Sequence, residues 1–195
     1  MPRTCVYKMV ADNGGAPCVE DNLLSLAICK PIIRKTANVG DVIFGFGAQH
    51  YEERLIYIAV VTAKLSHGDY YKFPEYRSRS DCIYELHQGQ PRWIAGKRYH
   101  LGGAELEKDV GRNFERAHVL LSTDFRYFGR AKAPSMDEHP KLRDFISRLR
   151  RGHRVNFPPL VAQELQSLKV TVWQATSKPI IGRPSDVNCA ALCNR

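Results

Sequence analysis

The segment Leu55 to Ala63 (LIYIAVVTA) is apolar at odd and even positions alike. That double apolarity constrains the fold more than any other stretch of the chain. A strand solvated on one face alternates in polarity, whereas one that does not alternate is covered on both faces. Asp41 to Gly47 (DVIFGFG) reads as a second apolar strand, joined to the first by a charged loop from Gln49 to Arg54. Cys5 to Ala11 (CVYKMVA) has the character of a first strand and stops at Asp12-Asn13-Gly14-Gly15-Ala16-Pro17, a strong turn signal. Asp81 to Leu86 and Ala117 to Ser122 are further strand candidates, and His67 to Tyr76 reads as a short aromatic helix or lid. Leu23 to Cys29 is too short to assign as strand or helix, and Pro31 breaks it.

The C-terminal third changes period. Leu142, Phe145, Ile146 and Leu149 follow the spacing of an amphipathic helix closed by Gly152, with Lys141, Arg143, Arg148, Arg150 and Arg151 facing outward. Pro158 and Pro159 open another helix over roughly Leu160 to Leu168, which leads into Lys169 to Trp173. Strands first and helices last argue for an α+β domain on a small curved sheet or barrel with flanking C-terminal helices. Parallel α/β folds fit poorly. The Gly45-Phe46-Gly47 element lacks the third glycine and the following helix of a dinucleotide turn.

A chain of 195 residues fits one domain, here residues 1–176, with residues 177–195 expected as a flexible tail. Its 29 Lys and Arg against 20 Asp and Glu leave a net charge of +9, a surface that attracts polyanions. The six cysteines are scattered, with no CxxC pair and no HExxH, so neither a metal nor a cofactor is expected. They read as reduced thiols of a cytoplasmic protein. There is no signal-peptide pattern and no apolar run of about 20 residues that would span a bilayer.

Gly40-Asp41 before an apolar strand, with a second one a loop later, resembles the turn and strand pair of PUA-like barrels, EVE domains in particular. A longer series runs Asp12-x-Gly14-x-Ala16-Pro17, Cys29-Lys30-Pro31-x-x-Arg34, Gly40-Asp41 and Gly45-x-Gly47, then Ser122-x-x-Phe125-x-Tyr127-Phe128-Gly129 and Arg151-Gly152-His153. In that order, over residues 5–173, it resembles the second family of nucleotide-modification-associated domains. The pattern departs after Ala16-Pro17, where Cys18-Val19-Glu20-Asp21 follow.

The resemblance implies a DNA-binding protein that extrudes a modified base and holds it at the ends of the strands, DNA being phage DNA in bacterial defence. Base flipping costs a few kcal/mol, which phosphate contacts and stacking must offset. Lys30, Arg34, Lys35, Arg148 and Arg151 are the expected phosphate ligands, and Asn13, Gly14, Gly45, Gly47, His100, Tyr127 and Phe128 the expected base pocket. Asp12 is the expected catalytic group if the base is cut off, activating water as in sugar hydrolysis. Lys30 has a second expected role as an amine nucleophile. Asp41 is expected to organise its turn. Cys29 is expected as an inert thiol, because no sequence feature singles out a base for it. The activity so implied is a DNA glycosylase for hypermodified bases such as glucosylated hydroxymethylcytosine. A non-catalytic reader of such bases and a modified-RNA-binding module are the alternatives.

Overall fold

The computed structural model describes residues 2–150 and 152–187. In chain order its regular elements are β1 (Thr4–Met9), β2 (Cys18–Glu20), β3 (Leu23–Leu26), α1 (Pro31–Thr36), β4 (Val42–Gly47), β5 (Leu55–Val60) and β6 (Ala63–Leu65). There follow α2 (Asp69–Lys72), β7 (Tyr84–His87), β8 (Gln90–Trp93), α3 (Leu106–Val110), β9 (Val119–Ser122), β10 (Asp124–Tyr127), α4 (Pro140–Arg148), β11 (His153–Arg154) and α5 (Pro159–Ala175). The fold is α+β. One sheet has the order β10-β5-β4-β1-β11 and a second the order β2-β3-β9-β6, with β7 and β8 forming a separate hairpin.

Side-chain parity stacks the layers. Cys5, Tyr7 and Met9 of β1 face Leu24, Leu26 and Leu120 of the second sheet. Val6, Phe44, Phe46 and Ile58 point the other way, onto Leu142, Ile146, Leu165 and Leu168 of α4 and α5. The outer face of the second sheet, with Val119 and Leu121, is covered by Tyr70, Tyr71, Tyr84 and Phe114. β5 is therefore buried on both faces, as its double apolarity requires.

Among the described residues the sheets do not close into a barrel. The expected strand Leu55 to Ala63 turns a corner instead. Val61 donates its N–H to Asp41 and Thr62 donates to Leu121, so the chain leaves the first sheet and enters the second as β6. The step from β9 to β10 through Thr123 makes the same crossing. Corners of this kind link two packed sheets while leaving each with its own edges. The β1–β4 pairing is parallel, although β4–β5 and the other ladders of that sheet are antiparallel.

The chain beyond α5 is expected to be loose; in the structure Pro179 to Gly182 lie along β10, and Ser185 and Asp186 bond Asp12. Tyr127 donates its N–H to Pro179 and accepts from the N–H of Ile181. Gly182 sits where an added Cβ would collide with the Phe128 backbone, so only glycine lets the strands approach. Cys189, Cys193 and the rest of the tail lie outside the described residues.

Asp41 does organise its turn. Its Oδ1 accepts the Arg3 N–H at 2.7 Å, and its Oδ2 accepts the Asn38 N–H at 2.9 Å and the Arg3 guanidinium at 3.1 Å. Burial works against the charged form, but these donors outweigh it and hold the carboxyl below the usual carboxylate range. A depressed acid contributes stability above its unfolded pKa and loses it as pH falls through its folded pKa. Asp41→Asn should cost about 1–3 kcal/mol at pH 7 and progressively less below about pH 4. Urea unfolding at several pH values reads this, and a pH-independent cost would show that charge is not what Asp41 supplies.

Candidate functional site

β1 and β4 run parallel and end together, at Met9 and Gly47. Beside that end the chain leaves β3 and passes through Cys29 and Lys30 into α1. Between them opens a cleft of about 760 Å³. Met9, Ala16, Ile33 and Leu149 give it apolar walls, while Lys8, Lys30, Lys108 and Arg150 line it with positive charge. Lys8 is paired to Glu53 at 2.7 Å and Lys108 to Glu105 at 3.0 Å. The Lys30 ammonium stands 5.1 Å from the centre of the Tyr7 ring, a cation–π contact. His153 also lines the cleft; partial burial, then the Arg154 charge, push its pKa below the ordinary histidine range. A second cavity of about 770 Å³ is lined by Glu52, Glu53, Asp137 and Asp144 against Arg54 and Arg143, a balance that offers a polyanion little.

One wall of the cleft carries Cys29, His100 and Asp109 in contact. The Cys29 sulfur is 3.3 Å from His100 Nε2, and His100 Nδ1 is 2.7 Å from Asp109 Oδ2. Tyr84 donates its hydroxyl to the same carboxylate oxygen at 2.8 Å. The other oxygen, Oδ1, accepts the Cys29 N–H at 2.9 Å and the Arg34 guanidinium at 3.1 Å. Cys29, Lys30 and His100 all have left-handed backbone, with φ of 55°, 44° and 50°. Non-glycine residues held there cost about 1–3 kcal/mol each and persist only where the surroundings impose them. At Cys29 the backbone is held from both sides, its carbonyl by Arg34 Nε at 2.6 Å and its N–H by Asp109.

Of the residues expected in the site, Asn13, Lys30 and His100 line this cleft. Asp12 does not. It is buried, its Oδ1 accepts the Tyr127 hydroxyl and its Oδ2 accepts from the Ser185 backbone and side chain. Burial, only partly offset by those donors, pushes its pKa up. The carboxylate therefore fastens the C-terminal segment to the turn after β1 instead of meeting a sugar. Tyr127 is its buried partner, and Phe128 packs with α4 and α5.

Gly45 and Gly47 leave room for protein rings: a Cβ at Gly45 would lie 2.2 Å from the Tyr57 ring, and one at Gly47 2.4 Å from Tyr51 Cβ. Gly14 faces Pro184 and Tyr99. Arg34 is wholly buried and bonds the Cys29, His118 and Asp109 carbonyls and the Asp109 carboxylate, so it presents no donor to phosphate. Lys35 and Arg148 are exposed but outside the cleft, Arg148 paired with Asp144. Arg151 lies outside the described residues.

Nothing in the sequence singles out Asp109 or a base for Cys29. Residues 29, 100 and 109 show no mutual spacing, and a cysteine, a histidine and an aspartate far apart in a chain are a signal only if the fold joins them. Among the described residues no group of His, Cys, Asp and Glu side chains is arranged to hold a metal ion, and no helix is long and apolar enough to cross a membrane.

No curated protein and no solved structure matches the chain. A family profile described as nucleotide modification associated domain 2 does match, over residues 1–191. That is the family which the motif series resembles, and the chain belongs to the nucleotide modification associated domain 2 family.

Proposed function

We propose that the protein binds DNA carrying modified bases and receives the modified base, turned out of its stack, in the cleft beside β1 and α1. The observation that carries this reading is the union in one cleft of apolar walls with Lys8, Lys30, Lys108 and Arg150. A volume of about 760 Å³ suits a group larger than an unadorned base, as a substituted nucleotide is. The net charge of +9 and membership of a nucleotide-modification family point to the same class of partner.

Charge cancellation sharpens which cations count. Asp109 is neutralised by Arg34, and Lys8 and Lys108 by glutamates, so Lys30 and Arg150 are the groups best placed for phosphate. Base excision through Asp12 has no support in this geometry, because both carboxylate oxygens are used within the protein.

Fluorescence anisotropy with duplexes containing glucosylated hydroxymethylcytosine or plain cytosine tests the reading. The modified duplex should bind more tightly. Lys30→Ala and Arg150→Ala should each weaken both duplexes and lower the slope of log K against log salt by about 1. An unchanged slope would remove that cation from the interface, and equal binding of the two duplexes would overturn recognition of that modification.

A further inference from the structure

We propose that Cys29, His100 and Asp109 are a nucleophilic triad that hydrolyses an amide- or ester-linked substituent from the base held in the cleft. The substrate class rests on reading the cleft as a base pocket; the triad itself rests on its own geometry.

Each triad role has its atom. His100 Nδ1 lies 2.7 Å from Asp109 Oδ2 and 3.2 Å from the Tyr84 hydroxyl; the tautomer with its proton on Nδ1, between these two oxygens, leaves the Nε2 lone pair toward the Cys29 sulfur at 3.3 Å. The carboxylate is held in turn by the Tyr84 hydroxyl, the Cys29 N–H and Arg34. This is the nucleophile, base and orienting group that activate a weak nucleophile. Cys29 differs from the other described cysteines in its setting. Cys5, Cys18 and Cys82 are buried in the core, where burial pushes the Cys5 thiol up to about 12 and the Cys82 thiol to about 11. Cys29 is half-buried on the cleft wall, on a backbone held in the left-handed region.

The chemistry favours an acyl carbon over a sugar carbon. Cleavage at a sugar passes through a cationic transition state that needs a carboxylate of its own. The cleft carboxylates are committed, Asp109 to His100 and Arg34, and Glu105 to Lys108. A thiolate, by contrast, adds readily to a carbonyl. In the first step His100 Nε2 takes the Cys29 proton and the sulfur bonds to the carbonyl carbon. The carbon–nitrogen or carbon–oxygen bond to the base then breaks, and His100 returns the proton to the departing atom. In the second step water, losing a proton to His100, attacks the thioester, releasing a carboxylic acid and restoring the thiol.

The test combines iodoacetamide labelling, read by peptide mass mapping between pH 6 and pH 8, with a duplex carrying N4-acetylcytosine. Cys29 should be alkylated at a rate nearly flat in pH. In His100→Gln the rate should fall about tenfold near pH 7 and rise with the titration of an ordinary thiol near 8.5. Wild-type protein should release acetate and show an acetyl adduct on Cys29, and Cys29→Ser neither. Should His100→Gln fail to fold, Asp109→Asn and Tyr84→Phe carry the comparison, each expected to slow labelling at pH 7. A wild-type rate following an ordinary thiol titration would overturn the triad. An activated Cys29 without acetate release from a duplex that binds would overturn the substrate class. Activation with no binding of any modified duplex would instead count against the base-pocket reading and leave the triad standing.

Discussion

Replacing Arg34 with methionine should lower the free energy of unfolding by about 3–5 kcal/mol, the cost of breaking a buried ion pair from one side. Arg34 has no exposed surface, and its guanidinium satisfies three carbonyls and the Asp109 carboxylate. Methionine fills much of the volume but leaves Asp109 as a buried anion that has lost its cation. Domains of this size have about 5–15 kcal/mol in all, so the loss is a large fraction. Lysine would not substitute, since one ammonium cannot reach four acceptors arranged for a planar fork. Urea unfolding at pH 7 is the measurement, with the midpoint falling and the slope unchanged. A loss under about 1 kcal/mol would mean that Tyr84, His100 and the Cys29 N–H hold the carboxylate without Arg34. Because Arg34 touches no solvent, its replacement should leave the salt slope of DNA binding as it is in any variant that remains folded.

Gly45→Ala should cost about 1–3 kcal/mol by overpacking the interior between the sheets. The new Cβ would stand 2.2 Å from one atom of the Tyr57 ring and 2.8 Å from the Met9 sulfur. Tyr57 cannot swing aside freely, because it is fully buried and its hydroxyl is 2.9 Å from that of Tyr7. Its ring is also edge-on to Tyr7, with centroids 6.2 Å apart. Adding Tyr57→Leu should recover part of the loss, so the two changes should be non-additive in a double-mutant cycle of unfolding free energies. Strict additivity would place the strain elsewhere, in the irregular β4–β5 register between Gly45 and Phe46. The same substitution bears on function, since a glycine kept for Tyr57 is not one kept for a base. Binding of modified duplex by folded Gly45→Ala should be unchanged.

The longer elements were legible because their signals are local. β1, β4, β9 and α4 fall where period and turn residues place them; β5 stops at Val60, short of Ala63, and α5 starts after Pro158 as expected but runs on past Leu168 to Ala175. Segments with weaker periodic content were missed. α1 begins at Pro31, whose fixed φ suits the first turn of a helix as well as it suits a break. β10 is four residues long, and its bonding continues into the segment around Pro179 and Ile181, more than fifty positions away. The corner at Val61 and Thr62 has no signature of its own; it follows from hydrogen bonds to Asp41 and Leu121, partners that only the folded sheets supply.

The sequence by itself determined an α+β chain with a doubly covered strand, a net positive charge and its family, and it singled out Asn13, Lys30 and His100, which line the cleft. Residue type and spacing carry that information. Tertiary structure alone decided the rest: that Arg34 is buried beneath the cleft, that Asp12 fastens the C-terminal segment, and that Cys29 meets His100 and Asp109. The physical reason is that a side chain's chemistry depends on its neighbours. A guanidinium is a phosphate ligand in solvent and a structural cation beside a buried carboxylate. A thiol is inert in the core and a nucleophile beside an oriented imidazole. For Cys29 those neighbours lie 71 and 80 positions along the chain, and only the folded chain brings them within hydrogen-bonding distance.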